Sequence, residues 1–460
     1  MSIASTAPPP LELLAMRAPR YTSYPTALQF DDRIGPDDAE RALCQSNDDL
    51  LPAPVSLYLH VPFCRSNCFY CGCTRQITRN PTLMSAYARA LEQELSQRAA
   101  LLDDDRQTVQ VHLGGGTPNH LPDDDLSRIM ERVHALYGPD PAADVSLEID
   151  PRLLEPGQPA RWAALGFNRL SIGVQDVDAR VQRLINRVQP AEQVARCVGQ
   201  CREAGFGSIN FDLIYGLPAQ SLQSIDATLD FVEQQRPERV AAFGYAHLPE
   251  RLRAQRAINR VWLPDARARL ALRDRIEQRL LAAGYQAIGL DHYALPSDSL
   301  AQAYRDGSLH RNFQGYTTHA GCDILGFGVS AISRIGATFA QNTKSTAEYH
   351  AAIATQQWPV VRGYQQTDDD RLREQVILAL MCHRPVDLPA LGRQFAVDPD
   401  HVFGPALDAI QAMAPRTRPL AICESGRLRI SPEGRPYLRL IAAQFDAFQP
   451  AARPRSDVAV

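Results

Sequence analysis

Long apolar runs are missing from this chain of 460 residues: no stretch approaches the length of a membrane span, and Asp31, Asp32 and Arg33 interrupt the early region. Residues 1–20 lack a basic start followed by an apolar block, so no secretory signal is expected and the cytoplasm is the expected compartment. Excess charge is missing too. A net charge of −4 argues against a nucleic-acid binder driven by bulk electrostatics, although local arginines can still hold a carboxylate. No Cys-x-x-Cys or His-x-x-x-His pair elsewhere completes a zinc site. A chain neither small nor secreted is no disulfide framework, so its ten cysteines read as thiols or ligands.

What is present is concentrated in residues 56–75, SLYLHVPFCRSNCFYCGCTR. Cys64, Cys68 and Cys71 read Cys-x-x-x-Cys-x-x-Cys, and Pro62 and Gly72 predict a loop rather than a helix. Three thiolates converging from a loop suit an iron–sulfur cluster, whose irons prefer sulfur. A [4Fe–4S] cube needs four ligands, so three cysteines leave one iron open to a substrate or cofactor. Cys73 is a fourth ligand, a reactive thiol or filler, and spacing does not choose among these.

The length allows one large domain of roughly 250–300 residues plus a smaller one. Residues 1–20, rich in Pro and Ala, are expected to be loose. The segment RYTSYPTALQF (20–30) carries three aromatics and should pack against something, as an arm over a pocket or as core filler, with an arm across the barrel mouth preferred because the site must exclude water. From residue 56 strands are expected at 56–61, 108–113, 145–150, 168–174, 208–214 and 239–246, apolar enough to be buried on both faces. Amphipathic helices are expected near 82–102, 123–137, 191–204, 222–235 and 265–284. Six strand–helix repeats make a parallel sheet with right-handed crossovers, either an open doubly wound sheet or a partial barrel. Beyond about 363 the pattern becomes a helix, a shorter helix, a hairpin and a last helix, a small domain with a β-wing and no reactive cluster.

Ligands of such folds bind at the carboxyl ends of the strands. The cysteines follow the first strand there, and GGGTP (114–118), which lets backbone N–H groups approach a ligand, follows the second. GGGTP is neither a Walker A loop nor G-x-G-x-x-G, so phosphate binding is not implied. Glu148 and Asp150 end the third strand, where a carboxylate holds a ribose hydroxyl or an ammonium group, or simply caps the backbone. Gln175 and Asp176, Asp212, and Ala246 with His247 end the fourth, fifth and sixth strands.

Taken together, HVPFCRSNCFYCGC, HLGGGTP, EIDPR, FNRLSIGVQD, NFDLIYGLP, YAHLP, LHRNFQGYTT and GVSAIS resemble the radical S-adenosylmethionine (SAM) enzymes. More narrowly, they resemble the oxygen-independent coproporphyrinogen III oxidase (dehydrogenase) family, from about residue 20 to the C-terminus. A related group of heme chaperones usually lacks the cysteine at position 73 and the YTSYPT arm, both present here.

The resemblance implies an α/β fold: a partial (βα)6 TIM-like barrel with an N-terminal arm (1–54), a catalytic domain (55–362, its barrel core about 55–285) and a mostly helical C-terminal domain (363–460). It implies that Cys64, Cys68 and Cys71 hold a [4Fe–4S] cluster with SAM on the fourth iron, and that Cys73 does not ligate and acts with Glu148 in catalysis. Two SAM molecules are implied. Tyr58, Gly115, Glu148 and Ile332 match contacts to one, and Tyr70, Gly116, Thr117, Gln175, Arg187, Asp212 and Ala246 match contacts to the other. The implied reaction turns the ring A and B propionates of coproporphyrinogen III into vinyl groups in heme biosynthesis. A monomer is expected, with flavodoxin or ferredoxin as the kind of electron donor. Arg20 and Arg311 are candidate partners for the substrate carboxylates. A cluster-bearing heme carrier and a radical enzyme acting on a non-porphyrin are the alternatives.

Overall fold

All six expected strands form within two residues of their expected bounds: β1 (Val55–Val61), β2 (Thr108–Gly115), β3 (Asp144–Ile149), β4 (Arg169–Gln175), β5 (Ser208–Tyr215) and β6 (Arg239–Gly244). They pair in parallel in chain order. The helices between them include α1 (Pro81–Ala99), α2 (Asp123–Tyr137), α3 (Gln158–Ala164), α4 (Ala191–Glu203) and α5 (Leu222–Gln235), with α6 (Ala266–Ala282) after β6. The computed structural model describes residues 13, 16, 18–414 and 417–449, so the expected looseness of 1–20 falls mostly outside the described residues. No described helix is long and apolar enough to cross a membrane.

The strands are not buried apolar on both faces, as expected from their composition. They alternate. Val111, Leu113, Leu147, Ile172, Ile209, Phe211 and Leu213 lie under the helices in the main core. The intervening Gln110, His112, Ser146, Glu148, Ser171, Asn210 and Asp212 all line one cavity. Side chains from one face of four neighbouring strands meet around one cavity because the sheet curls, as the right-handed twist of parallel strands favours.

The sheet does not stop at six strands. Short strands β7 (Gln286–Ile288) and β8 (His292–Ala294) add an antiparallel edge beyond β6. On the other side, β9 (Asp323–Phe327) pairs parallel to β1, and β10 (Ile332–Ile335), β11 (Thr338–Asn342) and β12 (Val360–Gln365) continue antiparallel. The full order is β12-β11-β10-β9-β1-β2-β3-β4-β5-β6-β8-β7. This extension is fastened from within: Arg98 of α1 pairs with Glu94 and donates to Gly326 O at 2.9 Å and Asn342 Oδ1 at 3.2 Å. Its guanidinium lies between the rings of Phe327 and Trp358. Breaking so deeply buried a pair by removing one partner costs about 3–5 kcal/mol.

The C-terminal part holds α7 (Asp368–Met381), α8 (Leu388–Phe395), α9 (Pro399–Ala412), a hairpin (Ala421–Glu424 with Arg427–Ile430) and α10 (Leu438–Ala443). The sequence pattern did not mark α9, because Gly404 and Pro405 fall inside it.

The arm requires a correction. Tyr21 and Tyr24 are buried in one core with Leu372 and Val376 of α7 and Leu438 and Ile441 of α10. Tyr21 Oη donates to Asp446 at 2.8 Å, Ala447 N donates to Tyr24 Oη at 2.9 Å, and Arg439 donates to the carbonyls of Ala18 and Pro19. Tyr21 and Tyr24 therefore complete the C-terminal core, Phe30 stacks on Phe339 of β11 at 5.5 Å, and Arg20 reaches the barrel rim, donating to Gly244 O at 2.6 Å. Arg311 lines neither cavity of the candidate site. It is buried, donates to Tyr21 O at 3.3 Å and packs over the Tyr316 ring at 4.5 Å, with its Nη1 left without a hydrogen-bond partner among the described residues.

Candidate active site

The cysteine loop leaves the end of β1 and is pinned at its base, where Phe63–Cys64 pairs with Gln76–Ile77. Arg75 crosses it, donating to Asn67 Oδ1 and to the carbonyls of Cys71 and Cys73. Gln255, from the segment after β6, donates to Tyr70 O at 3.0 Å. The GGG turn passes directly beneath. A Cβ on Gly116 would lie 2.7 Å from Val61 O and the Pro62 carbonyl carbon, and one on Gly115, at φ +106°, would enter the His60 ring. Only glycine lets the two loops approach this closely.

Cys64, Cys68, Cys71 and Cys73 line a cavity of about 440 Å³ inside the curled sheet. Among the described residues no three His, Cys, Asp or Glu side chains close around a single metal ion. The charges and donors of the loop fit a sulfur-bound cluster. Arg187 Nη1 and Arg152 Nη2 point at Cys68 Sγ at 3.7 and 3.9 Å, and Thr117 Oγ1 donates to Cys64 Sγ at 3.3 Å. Buried Arg187 Nε has no hydrogen-bond partner among the described residues. Asp150 orients both arginines, at 2.6 Å from Arg152 and 3.2 Å from Arg187. Burial alone would raise its carboxyl, but the two guanidiniums hold it down to about 2. Cys73 N donates to Cys71 Sγ at 3.4 Å, and the Cys73 thiol, followed by Arg75, holds Cys71 below its ordinary value against burial.

A second, outer cavity of about 510 Å³ shares Cys73, His112, Gly115, Glu148 and Gln314 with the first. Its walls add Tyr58, His60, Thr74, Ile332 and Lys344. Glu148 stands on the shared wall, where Gly115 N donates to it at 3.0 Å and His112 Nε2 lies at 3.1 Å. Burial pushes this carboxyl up, and His112 with the Gly115 amide outweighs that and leaves it below its ordinary value. Tyr58 stacks on the His112 ring and lies 3.0 Å from His60 Nδ1. Because His60 Nε2 faces the Thr74 carbonyl at 2.9 Å, it carries the ring proton, and Nδ1 accepts from Tyr58.

The two expected SAM sets thus separate in space. Tyr70, Gly116, Thr117, Gln175, Arg187 and Asp212 line the inner cavity only, Tyr58 and Ile332 line the outer one only, and Gly115 and Glu148 line both. Gln175 turns inward at a bulge between β4 and β5, at φ +66°. Ala246 lines neither cavity, and its carbonyl accepts from Gln255. Asp176 belongs to a buried joint with Gln220 and Thr228. Asp212, beside Ser171 and Asn210, is pushed up to about 6 by burial and then by the charge of Glu148, against those two hydrogen bonds. His112, Ser171, Asn210 and Arg152 were missed in the sequence, although the period-two polar residues of the strands marked the first three.

The Radical SAM superfamily profile matches residues 58–232, and the HemN C-terminal domain profile matches residues 366–437. The chain is 40% identical over 438 residues to the oxygen-independent coproporphyrinogen III oxidase of Pseudomonas aeruginosa, covering 95% of this chain and 94% of that one. It is 41% identical over 430 residues to the protein of that name from Escherichia coli, covering 94% and 93%. The solved structure of the Escherichia coli coproporphyrinogen III oxidase, described as a radical SAM enzyme, superposes with a TM-score of 0.89 at 40% identity, over 93% of this chain and 97% of that one. The chain belongs to the radical SAM superfamily and, within it, to the oxygen-independent coproporphyrinogen III oxidase family.

Proposed function

We propose that this protein converts the ring A and ring B propionates of coproporphyrinogen III into vinyl groups, giving protoporphyrinogen IX without oxygen. The observation that carries the reading is the pair of cavities joined across Cys73 and Glu148, the inner one walled by the three-cysteine loop. When bound, a reduced [4Fe–4S] cluster and SAM supply a 5′-deoxyadenosyl radical that takes hydrogen from a propionate β-carbon, after which CO₂ and one electron are lost.

Cys64, Cys68 and Cys71 would hold the cluster, and Arg152 and Arg187 offset negative charge at Cys68. Asp212 and Gln175 in the inner cavity, with Arg187, supply acceptors and donors for one SAM, and Tyr58, Gly115, Glu148 and Ile332 those for a second. The curled sheet and the segment after β6 keep water from the reacting carbon. Cys73, on the shared wall, is positioned to meet the substrate. A monomer served by a flavodoxin- or ferredoxin-like donor in the cytoplasm, divided at about residues 55 and 363, completes the reading.

The test is anaerobic reconstitution with iron and sulfide, then SAM, a reductant and coproporphyrinogen III. Vinyl-bearing product and 5′-deoxyadenosine are expected. SAM cleavage with no decarboxylated product would reject the substrate.

A further inference from the structure

Among the 48 lysines and arginines of this chain, Lys344 is the only lysine. It follows β11 and lines the outer cavity together with Glu148 and Cys73, its side chain largely open to solvent. Burial of its stem, then the guanidiniums of Arg362 and Arg251, lower its pKa. Arg362 is set in place by donating to Gln341 at 2.7 Å, and Gln341 in turn donates to Ser330 O at 3.0 Å. Among the described residues Lys344 has no hydrogen bond or ion pair. Glu148 is the one described carboxylate lining this cavity, and His112 and Gly115 already engage it. Lys344 is therefore the one lysine or arginine among the described residues lining this cavity, and the carboxylate it shares the cavity with is already engaged, an arrangement that favours an anionic ligand at the amine.

We propose that Lys344 is a carboxylate anchor at the mouth of the outer cavity, holding a propionate of the porphyrinogen or the carboxylate of a SAM bound there. The proposal rests on the function argued above. The porphyrinogen is the richer source, with four carboxylates to the one of SAM. A lysine suits the task in a chain that otherwise uses arginine. Two propionates react in turn, so the anchored group must change, and a point charge on a flexible stem accepts several approaches where a planar fork demands one.

The lone side-chain amine makes the test direct. The reconstituted holoprotein is acylated with an amine-specific reagent, and the modification of Lys344 is read by mass spectrometry against the chain's own amino terminus. Coproporphyrin III, the stable oxidised form, is expected to slow acylation of Lys344 at least fivefold. Slowing by SAM alone would support the anchor and assign it to SAM's carboxylate. No slowing by either ligand overturns it. In turnover, Lys344→Met is expected to raise the KM of the protected ligand roughly tenfold, as loss of a charged hydrogen bond does, with kcat within about twofold. Lys344→Arg should recover most of that loss. An unchanged KM in Lys344→Met overturns the anchor while wild-type turnover preserves the reading above. A wild type that makes no vinyl product takes both down.

Discussion

At the scale of single residues, Glu148 shows how one side chain serves structure and binding together. It accepts from Gly115 N and faces His112 before any ligand arrives. Glu148→Gln keeps an oxygen for the Gly115 amide, removes the charge and puts an NH2 donor in place of the oxygen that faces His112. Its SAM dissociation constant should rise roughly tenfold while iron content and melting temperature stay near wild type, as equilibrium dialysis and thermal unfolding would report. Unchanged SAM affinity would make Glu148 a backbone cap. Cys64→Ala, Cys68→Ala and Cys71→Ala should each lose the cluster's visible absorption, since a missing thiolate uncaps an iron. Cys73→Ala should keep the absorption and lose turnover, and full activity there would make Cys73 filler.

Asp212 offers a pH test of the inner cavity. Its folded pKa of about 6 lies above the ordinary carboxyl value of 3.8, so folding favours the protonated form. The stability this contributes is fully present below about 3.8 and disappears as pH rises through about 6. Asp212→Asn should therefore match wild type near pH 4 and exceed it near pH 8 by about 2–3 kcal/mol in the ligand-free protein. SAM should bind wild type less tightly below pH 6 and bind Asp212→Asn weakly at every pH. Parallel denaturation curves for the two proteins across pH 4–8 would count against the assignment.

Among the elements, the GGG turn and the inward face of the strands decide the site. Gly116→Ala would press a Cβ into the backbone of Val61 and Pro62, which cannot rotate away as a side chain could. A cost of about 1–3 kcal/mol is expected, with lower iron content because the cysteine loop rests on that backbone. Iron assay and melting temperature together read it out, and a fully loaded Gly116→Ala would show that the loop shifts freely. The strands themselves were legible from apolar residues such as Leu57, Leu147 and Phe211. Their polar partners, Ser146, Ser171 and Asn210, were passed over because short strands of mixed composition look doubly buried when only their apolar positions are weighed. The alternation was in the sequence, and its meaning depended on the sheet curling.

For the whole molecule, the arm is the clearest case. Three aromatics ahead of the first strand suggested a cover over the cavity, yet Tyr21 and Tyr24 complete a core built some 350 residues later. Deleting residues 1–30 should open that core and lower the melting temperature, with loss of cluster following rather than leading. Tyr21→Ala alone should cost about 3–5 kcal/mol, as other large buried rings do, measured by denaturant unfolding. A truncated protein that melts with wild type and fails only in decarboxylation would restore the arm as a cover.

The chain by itself determined what depends on neighbours in sequence: the three-cysteine loop, the glycine turn, six strands with their bounds and five of the helices that accompany them (the short helix Gln158–Ala164 was not marked), and the residue types at the strand ends. Spacing and periodicity carry these because hydrogen-bonded ladders and loop chemistry are local. Only the tertiary structure decided that Tyr58 and Ile332 face one cavity and Asp212 and Arg187 another, that Asp150 serves the arginines at Cys68, and that Lys344 stands at an opening beside Cys73. These pairings join residues far apart in the chain, and they exist because β9 closes against β1 and the sheet bends around its polar face.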